Sequence, residues 1–117
     1  MKRDDEFIRK ILLDLEDSAE ISILAGLEVG PDEDEEKLFY HLQLLCDAGL
    51  MVEMQRSVFR MTNQGHDFVA AVRTEGIWNK TKAGASQLGG VTLGILKDIA
   101  VSYLKQEAKK TLGLDLP

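Results

Sequence analysis

Residues 49–65 read GLMVEMQRSVFRMTNQG and contain three structural signals in close succession. Gly49 follows an apolar helical pattern and is expected to end that helix, as a glycine just past a helix terminus does. Two β-prone runs, residues 51–55 and 58–62, are separated by two residues and predict a tight hairpin. Thr62 has a side chain suited to a helix N-cap, so a further helix is expected directly after the hairpin.

Two amphipathic helices are predicted before the hairpin. Asp4 or Asp5 caps the first helix, whose apolar residues recur at three- and four-residue steps. The second helix begins at Asp32 or Asp34, with a first turn dense in the carboxylates that a helix N-terminus favours. The apolar faces comprise Phe7, Ile8, Ile11, Leu12 and Leu15 in the first helix and Leu38, Leu42, Leu45 and Cys46 in the second. Between the helices, residues 20–29 fit either a short strand or a helical turn, and we favour the strand.

Helical patterns fill the rest of the chain. The helix that begins after Thr62 is expected to run to about Ala85, with a break within a few residues of Gly76. The pair Gly89-Gly90 separates it from a last amphipathic helix over residues 91–112. The apolar residues of these segments are Phe68, Val69, Val72 and Ile77, then Leu93, Leu96, Ile99, Ala100, Tyr103 and Leu104. The sequence therefore predicts a mainly α fold with a small β-hairpin, of the α+β class.

The composition limits the class of protein. A chain of 117 residues with 44% hydrophobic residues has room for one modest core. The 20 acidic and 14 basic residues give a net charge of −6, which opposes nonspecific coating of nucleic acid. The single cysteine, Cys46, cannot form an internal disulfide, so a reduced cytoplasmic setting is expected. We identify no signal peptide and no membrane span, because residues 91–104, the longest apolar-leaning stretch, are too few and include Lys97 and Asp98.

Two runs around the hairpin carry a resemblance to a known fold. Residues 40–50 (YHLQLLCDAGL) resemble the second helix of a winged helix-turn-helix, and residues 60–66 (RMTNQGH) resemble the junction that follows its wing. Four further segments stand out: GHDF at 65–68, VR at 72–73, IWNKTK at 77–82 and GVTL at 90–93. Together they are similar to a bacterial and prophage family, domain of unknown function 2513.

The resemblance implies a fold and a prokaryotic or phage setting. It implies a winged-helix-like core over residues 1–73 and a C-terminal helical extension over residues 74–117, together forming one compact domain. The family has no established activity, so the resemblance implies no catalytic residue.

A DNA-binding winged helix places its second helix in the major groove and its wing near phosphates. The side chains that would make DNA contacts here are Lys37, Gln43, Arg56 and Arg60. Carboxylates at every position of residues 32–36 crowd the helix end that a phosphate would approach, and they repel it. A dimeric, sequence-specific DNA-binding regulator is therefore the alternative interpretation, disfavoured by this acidic helix start.

The favoured interpretation is a non-enzymatic module that acts through protein contacts in a regulatory or host-interaction role. The acidic face of the second helix is the predicted contact surface, and a basic partner or a nucleic-acid-binding protein would suit it. Its predicted residues are Asp34, Glu36, Tyr40 and His41.

The last helix has an apolar face that must be buried. Its residues Leu93, Leu96, Ile99 and Tyr103 are expected to pack either on the first helix of the same chain or on a second copy, as a homodimer. Both alternatives remain open from the sequence.

The sequence offers little for catalysis, metals or cofactors. His41 and His66 lie on different predicted elements, and we expect His41 to be a half-exposed helix residue. The carboxylate run at residues 32–36 lacks the ligand and glycine spacing of an EF-hand loop. Cys46 faces inward and Trp78, beside basic residues, is expected to anchor a core or an interface and not to stack on bases. We therefore predict no catalytic residue, no metal ligand and no cofactor.

Overall fold

The computed structural model describes residues 1–25 and 32–117. Its elements are α1 (Asp5–Asp17), β1 (Ile23–Leu24), α2 (Glu33–Asp47), β2 (Met51–Gln55), β3 (Val58–Met61), α3 (Asn63–Val72), α4 (Glu75–Gln87) and α5 (Leu93–Leu112). The fold is thus mainly helical with a small antiparallel sheet, which confirms the predicted α+β class. Residues 26–29, part of the stretch interpreted as a strand, lie outside the described residues.

The chain divides into two compact units, unit 1 (Met1–His66) and unit 2 (Asp67–Pro117), and the division falls within α3. Unit 1 contains α1, α2 and the sheet, and unit 2 contains α4 and α5. The division expected at residue 73, between a winged-helix-like core and an extension, stays a prediction.

Capping side chains set the helix starts in unit 1. The Asp4 carboxylate accepts a hydrogen bond from Phe7 N–H, and the Asp32 side chain accepts one from Glu35 N–H. α2 ends just before Gly49, whose φ of +77° lies in the left-handed region that favours glycine. These caps confirm Asp4 and Asp32 as the start signals and Gly49 as the stop.

The three strands form one antiparallel sheet in the order β1-β3-β2. β1 pairs Ile23 with Phe59 of β3, so the predicted hairpin gains a third strand. β2 and β3 form the hairpin, with a register irregularity between Glu53 and Gln55. The two-residue turn has Ser57 at φ +64°, which shows that serine occupies the left-handed position where glycine is usual.

The α2–hairpin–α3 connection is held by Thr62, whose hydroxyl donates to the Gly49 carbonyl at 2.6 Å and accepts from Gly65 N–H at 3.1 Å. Gly65 approaches the Leu50 carbonyl so closely that a Cβ there would overlap its oxygen and lie 2.5 Å from Met61 Cγ. The predicted N-cap at Thr62 is confirmed. Position 65 requires glycine because a Cβ there would have no space.

In unit 2 the break between α3 and α4 lies at residues 73–74, within a few residues of Gly76 as predicted. The Thr74 hydroxyl accepts from Ile77 N–H, so Thr74 is the N-cap and Gly76 falls within the first turn of α4. Trp78 is fully buried, in line with its interpretation as an anchor.

Candidate functional site

The first turn of α2 presents its carboxylates to solvent. Glu33, Asp34, Glu35 and Glu36 are all exposed, and the helix dipole stabilises negative charge at this end. Within residues 1–25 and 32–117, none of these four side chains forms an ion pair. We call residues 33–36 the acidic turn; it contains two of the predicted contact residues, Asp34 and Glu36.

The other two predicted contact residues lie one turn further along α2. Tyr40 is half-buried, and its ring meets the His41 ring edge to face at 5.6 Å between centroids. His41 has no exposed surface, so the expectation of a half-exposed histidine in the contact surface is wrong. Apolar and polar neighbours enclose its ring, because α1 packs over this side of α2.

His41 joins α1 to α2 through both of its ring nitrogens. Nε2 accepts a hydrogen bond from Asp4 N–H at 2.9 Å, and Nδ1 lies 2.8 Å from the Lys37 carbonyl oxygen. A neutral ring protonated on Nδ1 satisfies both contacts. The Phe7 ring packs edge to face against it at 5.1 Å. Because both nitrogens are engaged within the chain, this histidine positions helices and offers no ring nitrogen to a substrate.

Lys37 and Asp4 complete this junction. Lys37 Nζ lies 3.0 Å from Asp4 Oδ2 and 4.5 Å from the centre of the Phe7 ring. The hydrogen bond from Lys37, followed by that from Phe7 N–H, holds the pKa of Asp4 below its usual value. The charge of Lys37 is therefore compensated inside unit 1, which makes Lys37 a weaker candidate among the four predicted DNA contacts.

The remaining predicted DNA contacts are exposed. Gln43 lies on the outer side of α2, Arg56 in the hairpin turn and Arg60 on β3. Arg60 Nη1 also donates to the Met61 carbonyl oxygen at 3.1 Å, and Glu53 accepts from Ser57 N–H at 2.9 Å across the turn. The structure thus leaves three of the four predicted side chains open to solvent and places Lys37 on Asp4.

An apolar groove lies between α1, β1 and α2, beside the acidic turn. Its volume is about 410 Å³. Its apolar lining comprises Phe7, Ile11, Leu15, Ile23 and Leu38. The sequence pattern assigned all apolar residues of α1 to a single buried face, and this groove was missed.

The signal that separates the two faces of α1 is its helical geometry. Phe7, Ile11 and Leu15 lie four residues apart along one side of the helix, whereas Ile8 and Leu12 lie on the neighbouring side. Ile8 and Leu12 have no exposed surface, while Phe7 and Leu15 are half-buried. The apolar surface of α1 is therefore wider than the core that it covers, and its Phe7–Leu15 side lines the groove.

The predicted dimer residues of α5 are largely used within the chain. Leu93 and Leu96 are buried, so their side chains are not available to a second copy. Ile99 and Tyr103 face Gly84 of α4, where a Cβ would lie 3.5 Å from Ile99 Cγ2 and from the Tyr103 hydroxyl oxygen. This face of α5 thus packs on α4 within unit 2, and dimerisation stays a prediction.

The His66 imidazole and the Cys46 thiol both lie close to acidic side chains. His66 Nδ1 lies 2.9 Å from Glu16 Oε2 of α1. Cys46 is half-buried, and burial, followed by the nearby charges of Glu53 and Asp47, raises the pKa of its thiol. A raised pKa lowers the thiolate fraction and with it the reactivity of the sulfur.

Residues 1–25 and 32–117 contain neither a metal-binding cluster nor a membrane-spanning helix. No group of three or more His, Cys, Asp or Glu side chains in that part of the chain is arranged to hold a metal ion. No helix among the same residues has the length and apolar character required to cross a bilayer.

Comparisons with known proteins agree with the segments singled out in the sequence. A family model described as "Hypothetical protein (DUF2513)" matches residues 2–92. An uncharacterized protein of Haemophilus influenzae is 32% identical over 117 aligned residues, covering 91% of this chain and 98% of the relative. No solved structure matches the chain, and the resemblance to a winged helix-turn-helix stays a prediction. The family match, which includes the GHDF and IWNKTK segments, shows that this chain belongs to the DUF2513 family.

Proposed function

We propose that this protein is a non-enzymatic winged-helix module of bacterial or prophage type, which binds a basic protein partner in a regulatory or host-interaction role. The contact surface is the acidic turn together with Tyr40. His41 lies beneath this surface and fixes α2 on α1 without touching the partner.

The observation that carries this proposal is the exposed acidic turn without ion pairs in the described residues. The helix dipole stabilises each carboxylate, but the four like charges within one turn repel one another. A partner's Lys and Arg side chains would relieve that repulsion and accelerate association. The same carboxylates would repel a DNA phosphate at this helix end.

The topology supports the winged-helix part of the proposal. A helix, a short strand, a second helix and a hairpin follow one another, and the first strand pairs with the last strand of the hairpin in the order β1-β3-β2. Arg56 lies at the turn of the hairpin, the segment that this proposal interprets as the wing.

The test compares two charge reversals on the same helix. Binding of a fluorescein-labelled peptide of about 16 alternating lysines and serines is measured by anisotropy over a range of salt concentrations. Glu36→Lys changes the acidic turn, whereas Asp47→Lys makes the same change in net charge about 17 Å away at the other end of α2. We expect Glu36→Lys to weaken binding at least fivefold more than Asp47→Lys does. Equal losses of affinity in the two variants would show that binding depends on net charge alone and would refute the proposed surface.

The second candidate function is a dimeric, sequence-specific DNA-binding regulator. Gln43, Arg56 and Arg60 favour it, since all three are exposed. A salt-titrated binding assay on genomic DNA fragments separates the two functions. Submicromolar binding that weakens steeply with salt, and that is lost in Arg56→Ala and Arg60→Ala, would establish DNA binding and overturn the first proposal.

A further inference from the structure

The groove between α1, β1 and α2 is an apolar surface that the described residues of unit 1 leave partly uncovered. Four of its five apolar lining residues are half-buried, and Ile11 alone is buried. Its volume of about 410 Å³ lies at the lower end of the range found for ligand pockets, about 300–1,000 Å³. A space of this size accepts one or two large apolar side chains.

The rim of the groove is acidic. Asp14, Glu20 and Asp34 are exposed at its edge, and Lys10 is the basic residue among its lining side chains. Lys10 is paired with Asp14 at 2.6 Å. In the described part of the chain, the carboxylates of Glu20 and Asp34 form no ion pair. Two uncompensated negative charges therefore flank an apolar floor, and one of them, Asp34, also belongs to the acidic turn.

We infer that this groove binds an amphipathic basic helix of the partner protein, with an apolar anchor side chain on the groove floor and Lys or Arg side chains facing Glu20 and Asp34. The inference rests on the proposed function and adds to it the class of segment that is recognised. Amphipathic helices commonly bind in this way, with their apolar face in a hydrophobic groove.

The charge pattern selects this occupant over two others. A neutral apolar small molecule would gain nothing from the carboxylates at the rim. A second copy that presented its own groove would bring acidic residues against acidic residues, and such like-charge contacts oppose association. A basic helix satisfies the floor and the rim at once.

The test uses two labelled peptides with the same lysines. The Leu peptide carries leucine at positions i, i+4 and i+7 of a helix of about 16 residues, and the Ser peptide replaces those leucines with serine. Burial of a leucine side chain in the groove is expected to make the Leu peptide bind about tenfold tighter or more. Anisotropy titrations of both peptides with the full chain measure this ratio, which we call the leucine advantage.

Two variants test whether the leucine advantage arises from binding in the groove. Ser22 is half-buried on the lining, and Ser22→Phe is expected to fill the groove and remove the advantage while leaving binding of the Ser peptide unchanged. Leu15→Ala removes part of the apolar lining and is expected to reduce the advantage about threefold. Glu36→Lys lies outside the groove lining and should weaken both peptides by a similar factor. Far-UV circular dichroism confirms that each variant is folded.

The outcomes separate the inference from the proposed function. Equal binding of the two peptides to the natural chain, or a leucine advantage that survives in folded Ser22→Phe, refutes the groove while leaving the acidic turn intact. Absence of binding by both peptides refutes the proposed function as well. A dimer mass in light scattering that Ser22→Phe converts to a monomer would assign the groove to a second copy and overturn the inference.

Discussion

The two units of the chain differ in what their buried polar side chains do. Among the described residues, His41 in unit 1 and Thr81 in unit 2 are polar and fully buried. His41 accepts a hydrogen bond from Asp4 N–H and so joins two helices. Thr81 donates its hydroxyl to the Ile77 carbonyl one turn earlier in the same helix. The buried polar side chain of unit 1 therefore connects two elements, whereas that of unit 2 forms its hydrogen bond within its own helix.

The glycines of the two units show the same contrast. A Cβ at Gly65 would overlap the backbone of Leu50, which cannot move without disturbing the strand that follows it. A Cβ at Gly84 would make ordinary van der Waals contact with Ile99 and Tyr103. Positions between elements in unit 1 are thus tightly fitted, and the α4–α5 contact has room for one more methyl group.

The largest effect is expected for Gly65→Ala. The added methyl group must displace the Leu50 carbonyl or part the start of α3 from the hairpin, and we expect a loss of about 3 kcal/mol or more in the free energy of unfolding. Urea denaturation followed by far-UV circular dichroism measures it. A loss below about 1 kcal/mol would show that α3 can shift away from Leu50 freely.

His41→Leu is expected to have the next largest effect. Leucine fills a similar space but leaves Asp4 N–H without its acceptor, and we expect unfolding free energy to fall by about 1–3 kcal/mol. Thr81→Val is the matched control, because it removes a hydroxyl whose acceptor, the Ile77 carbonyl, keeps its helical role. Its loss should stay below about 1 kcal/mol. Equal losses in the two variants would remove the distinction between a polar group that joins helices and one satisfied locally.

Gly84→Ala is expected to stabilise the protein. Alanine is favoured over glycine inside a helix by about 0.5–1 kcal/mol, and the new Cβ would lie 3.5 Å from its nearest neighbours in α5. The melting temperature, followed by fluorescence of the single tryptophan, Trp78, should therefore rise by a few degrees. A lower melting temperature would show that α4 and α5 are already as tightly fitted as the α3 start.

The features that sequence predicted well are those set by neighbouring residues. The caps at Asp4, Asp32 and Thr62 and the stop at Gly49 depend on contacts within a few positions, and each lies where the pattern indicates. The exposed acidic turn follows from the same local reasoning. The α3–α4 break was predicted to within a few residues, and Thr74, two positions before Gly76, provides the cap.

The features that sequence did not predict depend on residues far apart in the chain. The bond from Asp4 to His41 spans 37 positions, and no periodicity in either helix indicates it. The groove requires α1, β1 and α2 together, so its apolar residues looked like core when each helix was considered alone. Likewise, the apolar face of α5 indicated burial but not that α4 provides it.

The smallest predicted effect concerns acid and the Asp4–Lys37 pair. Because the folded-state pKa of Asp4 is lowered, its contribution to stability is present above the unfolded-state value of 3.8 and is lost as pH falls through the folded value. Asp4→Asn keeps a capping side chain but loses the ion pair, so it should be less stable than the natural chain at pH 6 by less than about 1 kcal/mol, since the pair is partly exposed. Urea denaturation from pH 6 downwards should show this difference shrinking at pH values below 3.8. Lys37→Met removes the ion-pair partner of Asp4 but keeps the bond from Phe7 N–H, so it should reduce the pH dependence only in part. A difference between Asp4→Asn and the natural chain that stays constant with pH would show that the pair contributes nothing to the α1–α2 junction.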